Sequence, residues 1–243
     1  CLFRRATWID LDEGIILQGA QRILDGQVLY RDFFSFFTPG SYYLLALVFR
    51  VFGNSYVVAH TLLAVVGAAF SPITYVLSRR VCGRQASLLV TGLMLITALP
   101  LRFVVLHNWD STLWACLTLY CAVRLLETCS THWAFAAASF ASIAVLFEQS
   151  KGAGLLVGLG VGFLIIALYR QEPNVFNRRH LTAIALGLAW PLLITFAYFG
   201  SQHAFGEMLK SWFWPLQHYS TANRVPYGYG NLPEETQYQL FHT

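Results

Sequence analysis

Charge is scarce in this 243-residue chain: 12% of its residues are Asp, Glu, Lys or Arg, about half of the ~25% usual in soluble domains. That deficit excludes an ordinary water-soluble globular domain. Its five cysteines, Cys1, Cys82, Cys116, Cys121 and Cys129, form no C-x-x-C pair and have no histidine at metal-ligand spacing, so they read as small apolar side chains rather than as a zinc module. There is no internal repeat, no low-complexity tract and no glycine-rich nucleotide-binding motif. The spaced glycines of GLLVGLGVGFL, residues 154–164, lie within an apolar run and are expected to serve helix packing rather than to cradle phosphate. The chain begins with Cys1 rather than Met, carries no leader pattern and stops at Thr243, so it is expected to be a segment of a longer protein.

What the sequence has in abundance is apolar surface. Hydrophobic residues make up 56% of it and the mean hydropathy is +0.53, values of an all-α polytopic membrane protein. Six runs approach the length needed to cross a hydrocarbon core of ~30 Å: residues 57–77, 87–106, 111–126, 133–147, 152–169 and 181–199. The basic residues fall in alternate connections. Arg79, Arg80 and Arg84 follow the first run, Arg124 ends the third, and Arg170, Arg178 and Arg179 follow the fifth. Those connections are expected on the cytoplasmic side. The connections LHNWD (106–110) and EQSKG (148–152), the segment before residue 57 and the tail 200–243 then share the external side.

Residues 41–52 are apolar but too few to span, and a crossing there would invert every later connection. The expectation is an interfacial helix opened after Pro39 and closed by Gly53 and Asn54. Upstream, apolar positions 15, 16, 20, 23 and 24 share one helical face, with Gln18, Gln21 and Arg22 on the other. Asp12 and Glu13 suit the positive N-terminal end of that helix, and Gly26 suits its end. Residues 10–54 thus form an external loop with two surface helices, 57–199 a bundle, and 200–243 a further external loop of one membrane module.

The order of motifs in that loop carries a resemblance. DEG at 12–14, AQRIL at 20–24, DGQVLYRDFF at 25–34, TPG at 38–40, the aromatic-rich stretch to Gly53 and the RRVCGR connection resemble the C-type membrane glycosyltransferases. Within them the chain is most similar to the bacterial branch of the protein mannosyltransferase and aminoarabinose transferase superfamily. The resemblance implies transfer of a sugar from a polyprenyl-phosphate carrier, with inversion, on the external face of a bacterial inner membrane. The partners it implies are the lipid-linked sugar, membrane lipids and an acceptor that is a lipid, a glycan or a protein. Nucleic acid is not among them.

The family pattern lands on particular residues. Its loop acid corresponds to Asp12, followed by Glu13; a carboxylate there is suited to activating an acceptor hydroxyl, or simply to capping a helix. Asp10 is a neighbouring alternative. The second acid falls on Asp110, which either orients a substrate or caps the helix that begins beside it. His107 and Trp109 could contact a sugar, although a tryptophan at an interface also serves as an anchor. A leaving phosphate needs a cation, and Arg22, Arg31, Arg102, Lys151 and Arg224 stand on the expected external face. Related aminoarabinose transferases carry a lysine immediately before the loop proline, where this chain has Thr38. That departure turns attention to Arg31, Lys151 and Arg224. Lys151 lies between two apolar runs, where an ionisable group is functional, paired with Glu148, or reaching towards the headgroups.

In the tail, Tyr219, Asn223, Arg224 and Tyr227 are candidate contacts for sugar or carrier, unless the tail is merely a linker to further spans. The resemblance implies no cofactor, and a divalent metal on Asp12, Glu13 and Asp110 is not favoured. A transporter using Glu148 and Lys151, or a non-catalytic accessory protein, would leave the acidic loop without a role.

Overall fold

A computed structural model describes residues 11–97, 104–105, 107–170 and 177–222, in which helices are joined by short connections and one longer loop, 25–39. The first helix, α1 (Leu11–Leu24), begins four residues before the apolar face expected at 15–24, with Asp12 and Glu13 in its first turn. It stops at Gly26, whose φ of +88° is a left-handed conformation natural to glycine. Helix α2 (Gly40–Phe52) follows Pro39 and ends at Gly53. Thirteen residues reach about 20 Å, short of the bilayer core. One face of α2, Ser41, Tyr42, Leu45, Ala46 and Phe49, is buried, while Leu47, Val51 and Phe52 on the other are exposed. Helix α2 thus packs on one side only. Its buried face lies on α1, so closely that a Cβ added at Gly19 would collide with the Tyr42 ring.

The bundle proper comprises α3 (Tyr56–Ser78), α4 (Arg84–Thr97), α5 (His107–Thr128), α6 (Thr131–Phe147), α7 (Gln149–Arg170) and α8 (Arg178–Ser201). At its centre stands α6, packed against α5, α7 and α8. Its buried positions are mostly alanine and serine, small side chains that let backbones approach without a hydrophobic driving force. Gly187 of α8 meets the Phe135 carbonyl so closely that a Cβ would overlap it. Two hydrogen bonds tie the same pair of helices: Trp190 Nε1 donates to Ser139 Oγ (2.8 Å), and Ser142 Oγ donates to the Leu188 carbonyl (2.9 Å).

Six spans were expected, and each run corresponds to one helix of the bundle. Among the described residues, however, only three helical stretches are long and apolar enough to cross a membrane: Tyr56–Ser78, Gln149–Tyr169 and Arg178–Ser201. The physical reasons differ by helix. At 17 residues α6 reaches about 25 Å, α4 is described only to Thr97, and α5 carries His107, Asn108, Asp110, Arg124 and Glu127. The glycines expected to pack helices behave differently too, since nothing lies within 4 Å of a Cβ added at Gly158, Gly160 or Gly162. It is Gly152, against the Val145 backbone, that brings α7 onto α6.

The tail carries a further helix. Within the 200–243 stretch expected as an external loop, α9 runs over Phe205–Ala222 with Pro215 inside it. Ala204, Met208 and Ser211 are buried at helical spacing, a periodicity masked in the sequence by the surrounding aromatics.

Contacts between connections define two ends. Arg80 pairs with Glu127, so the α3–α4 connection meets the end of α5. His180 Nε2 lies 2.9 Å from the Cys129 carbonyl, joining the start of α8 to the α5–α6 connection. The arginine-bearing connections therefore gather at one end of the bundle. The other end holds the 104–110 segment, the α6–α7 junction and the loop before α2.

Candidate functional site

The end opposite the arginines contains a cleft of about 590 Å³. Phe36 and Phe37 of the loop before α2, His107 at the start of α5, Glu148, Gln149 and Ser150 at the α6–α7 junction, and Trp212 and Phe213 of α9 line it. Local sequence explains the placement. A Cβ on Gly40 would strike the Phe147 ring and the Leu146 carbonyl, so the Pro-Gly turn seats the loop directly on the end of α6. Gln149 Nε2 then donates to the Phe36 carbonyl at 2.8 Å. Aromatic rings continue the wall: Phe37 lies 4.2 Å from the His107 ring, and Phe36 stacks on Trp214 at 5.7 Å. Above them Tyr30 donates to the Phe37 carbonyl (2.8 Å) and accepts from Trp212 Nε1 (2.9 Å), fastening α9 to the loop.

Behind the cleft wall sits a polar network. Lys151 Nζ lies 2.9 Å from Glu148 Oε2 and also donates to the Asn108 carbonyl, Ser111 Oγ and Thr112 Oγ1 at 2.8 to 2.9 Å. Ser111 Oγ donates to Glu148 Oε2 at 2.7 Å. Burial pushes the Glu148 carboxyl up, but the Ser111 hydroxyl and the Lys151 ammonium outweigh it, and the group titrates below its ordinary range. Of the three readings of Lys151, the structure therefore contains the pairing with Glu148. Its side chain nonetheless stays 31% exposed.

The expected acids are placed differently from one another. Asp12 is exposed at the first turn of α1 and lies within electrostatic reach of His107, as do Glu148 and Lys151. Glu13, its neighbour, is fully buried; its Oε1 lies 2.6 Å from His60 Nε2 and accepts from the Val105 N–H at 3.0 Å. Asp110 faces inward as well, accepting from Ser41 Oγ at 2.8 Å and lining a small cavity with Ile16, Leu45 and Val105. Asp12 is absent from the wall of that small cavity and from that of the cleft. No group of three or more His, Cys, Asp or Glu side chains gathers among the described residues.

His107 lines the cleft, and its buried Nδ1 has no partner among the described residues. Trp109 instead joins the hydrophobic core, edge-on to Phe70 at 6.3 Å. Arg31 pairs with Asp32 at 2.9 Å and approaches the Gln202 carbonyl, away from the cleft lining. This partner and the Val28 N–H pull the Asp32 carboxyl down to about 2. Arg22 is spent on the loop too, with its guanidinium 4.3 Å above the Phe33 ring. Thr38, at the position of the missing lysine, is buried. Tyr219 belongs to α9, but its side chain, like Asp10, Arg102, Asn223, Arg224 and Tyr227, lies outside the described residues.

Sequence reasoning missed His60, Ser41 and Ser111. For His60 a signal existed, because a histidine within an apolar span is costly unless partnered. Serines carry no such signal, since their partners Asp110 and Glu148 are 69 and 37 residues away.

Comparison with known proteins gives one match. Residues 37–199 match the family described as dolichyl-phosphate-mannose-protein mannosyltransferase. The match contains the Pro-Gly turn, Asp110 and the Glu148–Lys151 pair, and it extends beyond the motif-bearing first half of the chain. No curated protein and no solved structure matches the chain. An all-α bundle with apolar spanning helices and a match over most of its length show that this chain belongs to the dolichyl-phosphate-mannose-protein mannosyltransferase family, within the C-type membrane glycosyltransferases that use a lipid-phosphate-linked sugar.

Proposed function

We propose that the chain moves a sugar from a polyprenyl-phosphate carrier to an acceptor hydroxyl at the cleft end of the bundle, on the external face of a bacterial inner membrane. The observation that carries this reading is the family match over residues 37–199, joined to an aromatic cleft whose wall holds His107 and Glu148, with Lys151 paired to the latter. In the transfer, the acceptor oxygen bonds to the anomeric carbon as the bond from that carbon to the phosphate oxygen breaks. Single displacement inverts the anomeric centre, as the family resemblance implies. Asp12, exposed at the cleft end, takes the acceptor proton. The electron pair of the broken bond leaves with the phosphate, whose growing charge needs a nearby cation.

Lys151 suits that need better than Arg31, which is committed to Asp32. On arrival the donor phosphate takes over one of the Lys151 N–H bonds now made to the Asn108 carbonyl, Ser111 and Thr112. Phe36, Trp212 and Phe213 offer apolar faces to the sugar, while His107, Gln149 and Ser150 offer polar edges. The remaining candidates Tyr219, Asn223 and Arg224 are proposed to approach from the tail. Arg79, Arg80, Arg84, Arg124, Arg178 and Arg179 set the orientation: the positive-inside rule places their end in the cytoplasm and the cleft outside. The six bundle helices are proposed to cross or nearly cross the bilayer, with α1 and α2 at its outer surface. Family membership removes the support for a transporter or an accessory role.

The test is transfer by the reconstituted protein from a panel of polyprenyl-phosphate sugars, with nucleotide sugars as comparison donors. Transfer from a lipid-linked donor, with the released polyprenyl phosphate in equal amount, is the expected result. Transfer from nucleotide sugars alone would overturn the donor class.

A further inference from the structure

Glu13 and His60 form a polar contact with no role in the transfer just described. Both side chains are 0% exposed, they come from α1 and α3, and their atoms stand 2.6 Å apart. The same carboxylate oxygen accepts the Val105 N–H at 3.0 Å. Because Oε1 is an acceptor for that backbone N–H, the imidazole Nε2 is read as the second donor to it. The Tyr56 ring, 4.0 Å from the imidazole, holds its plane. One oxygen thus gathers three parts of the chain, 47 and 92 residues apart in sequence.

The position of this junction gives it meaning. Glu13 follows Asp12, and the two project from α1 in different directions, one exposed and the other buried. Val105 precedes His107 by two residues and Asp110 by five, ahead of the first turn of α5, which carries both. Glu13 is fully buried and absent from the walls of the cleft and of the Asp110 cavity, so it does not meet a substrate held there. A buried carboxylate is expensive to desolvate, and apolar side chains of similar volume often replace such a pair without loss of stability. Packing alone therefore does not call for it. What apolar side chains could not reproduce is the directional bond to Val105.

We infer that Glu13 is a positioning residue: through His60 and the Val105 backbone it fixes the 104–110 segment against the first turn of α1, setting His107 and Asp110 relative to Asp12. The consequence for catalysis rests on the transfer proposed above; the mechanical coupling does not. Misplacing a reacting group by about 1 Å slows turnover roughly 100-fold with little effect on binding made elsewhere.

Two readouts on the full chain test it: backbone hydrogen exchange of the peptide covering 104–110, and kcat and KM with a polyprenyl-phosphate sugar. Loss of a buried hydrogen-bond acceptor is expected to speed exchange of that peptide about tenfold or more in Glu13→Leu and in His60→Leu. In both variants kcat falls while the donor KM stays within about twofold, and the double variant is no worse than the poorer single one, as expected of residues acting as a unit. Glu13→Gln, which keeps an acceptor of the same size, restores slow exchange and most of kcat. Unchanged exchange in both leucine variants would overturn the coupling. Equally fatal would be Glu13→Gln losing as much kcat as Glu13→Leu with wild-type exchange, since that outcome makes the carboxylate a reacting group. Should the leucine variants not insert, Glu13→Asp and His60→Gln serve the same comparison. If the wild-type protein uses no lipid-linked donor, the transfer reading fails, and exchange alone decides the coupling.

Discussion

The two ends of the bundle use the same chemistry to different effect. At the arginine end, Arg80 and Arg124 meet Glu127 with about a third of each side chain in solvent. At the cleft end, Glu13, His60, Ser41 and Ser111 are buried, and each bonds to an element far away in sequence. Exposed pairs keep water as an alternative partner and contribute at most about 1 kcal/mol. Buried polar groups have no such alternative, so each missing partner is felt in full. The arginine end can thus orient the protein through its net charge with little demand on geometry, whereas the cleft end depends on geometry almost entirely.

Substitutions can break this contrast, and the largest effect is expected at Asp12. Asp12→Asn should lower kcat by roughly 10²- to 10⁴-fold, with the melting temperature in detergent unchanged, because the side chain is exposed. Retained turnover would remove Asp12 from the chemistry. Next comes Lys151→Met, for which steady-state kinetics should show a drop in kcat/KM on the order of 10²-fold, since a charge-assisted contact to phosphate contributes about 1.5–3 kcal/mol. Part of that loss is expected to return in Lys151→Arg. A matching substitution at Arg31 should leave donor kinetics nearly unchanged, and an equal loss there would move the phosphate site.

Acidity separates the ends further. The Glu148 carboxyl titrates below its unfolded value, so its contribution to stability is complete above the ordinary carboxylate range and is lost as pH falls through the folded value. Thermal melts carried from neutral pH down to about pH 3 should therefore show a steeper acid loss for the wild type than for Glu148→Gln. Parallel profiles would mean that the Lys151 pair does not hold the carboxylate. The smallest effect is expected at the arginine end, where Arg80→Ala should change stability by less than about 1 kcal/mol and leave turnover as it is. A large kinetic effect there would erase the distinction between the two ends.

How legible this was in the sequence follows the same divide. The gathering of Arg79, Arg80, Arg84, Arg124, Arg178 and Arg179 at one end was readable from the sequence, because their alternation between spans is a property of position along the chain. Helix α2 was readable as a helix too short to span from its length and the Pro-Gly and Gly-Asn boundaries. Asp12 and Glu13, by contrast, look interchangeable as text. Only their different directions from α1 separate an exposed acid from one buried against His60. Helix α9 was missed because its buried Ala204, Met208 and Ser211 are small or isolated among large exposed aromatics. The contact between Trp212 and Tyr30 that carries α9 to the cleft spans 182 residues, and no local pattern announces it.

By itself, the sequence determined a helical membrane protein with its arginines on alternate connections, an acidic surface loop and the marks of a lipid-linked sugar transferase. Composition, hydrophobic length and charge order act locally along a chain, and those features depend on nothing else. Only the tertiary structure decided which acids are exposed, that Lys151 pairs with Glu148 behind an aromatic cleft, and that Glu13 reaches His60 and Val105. Those choices depend on which helices approach one another, and that approach is governed by small residues at Gly40, Gly152 and Gly187 and by side-chain direction.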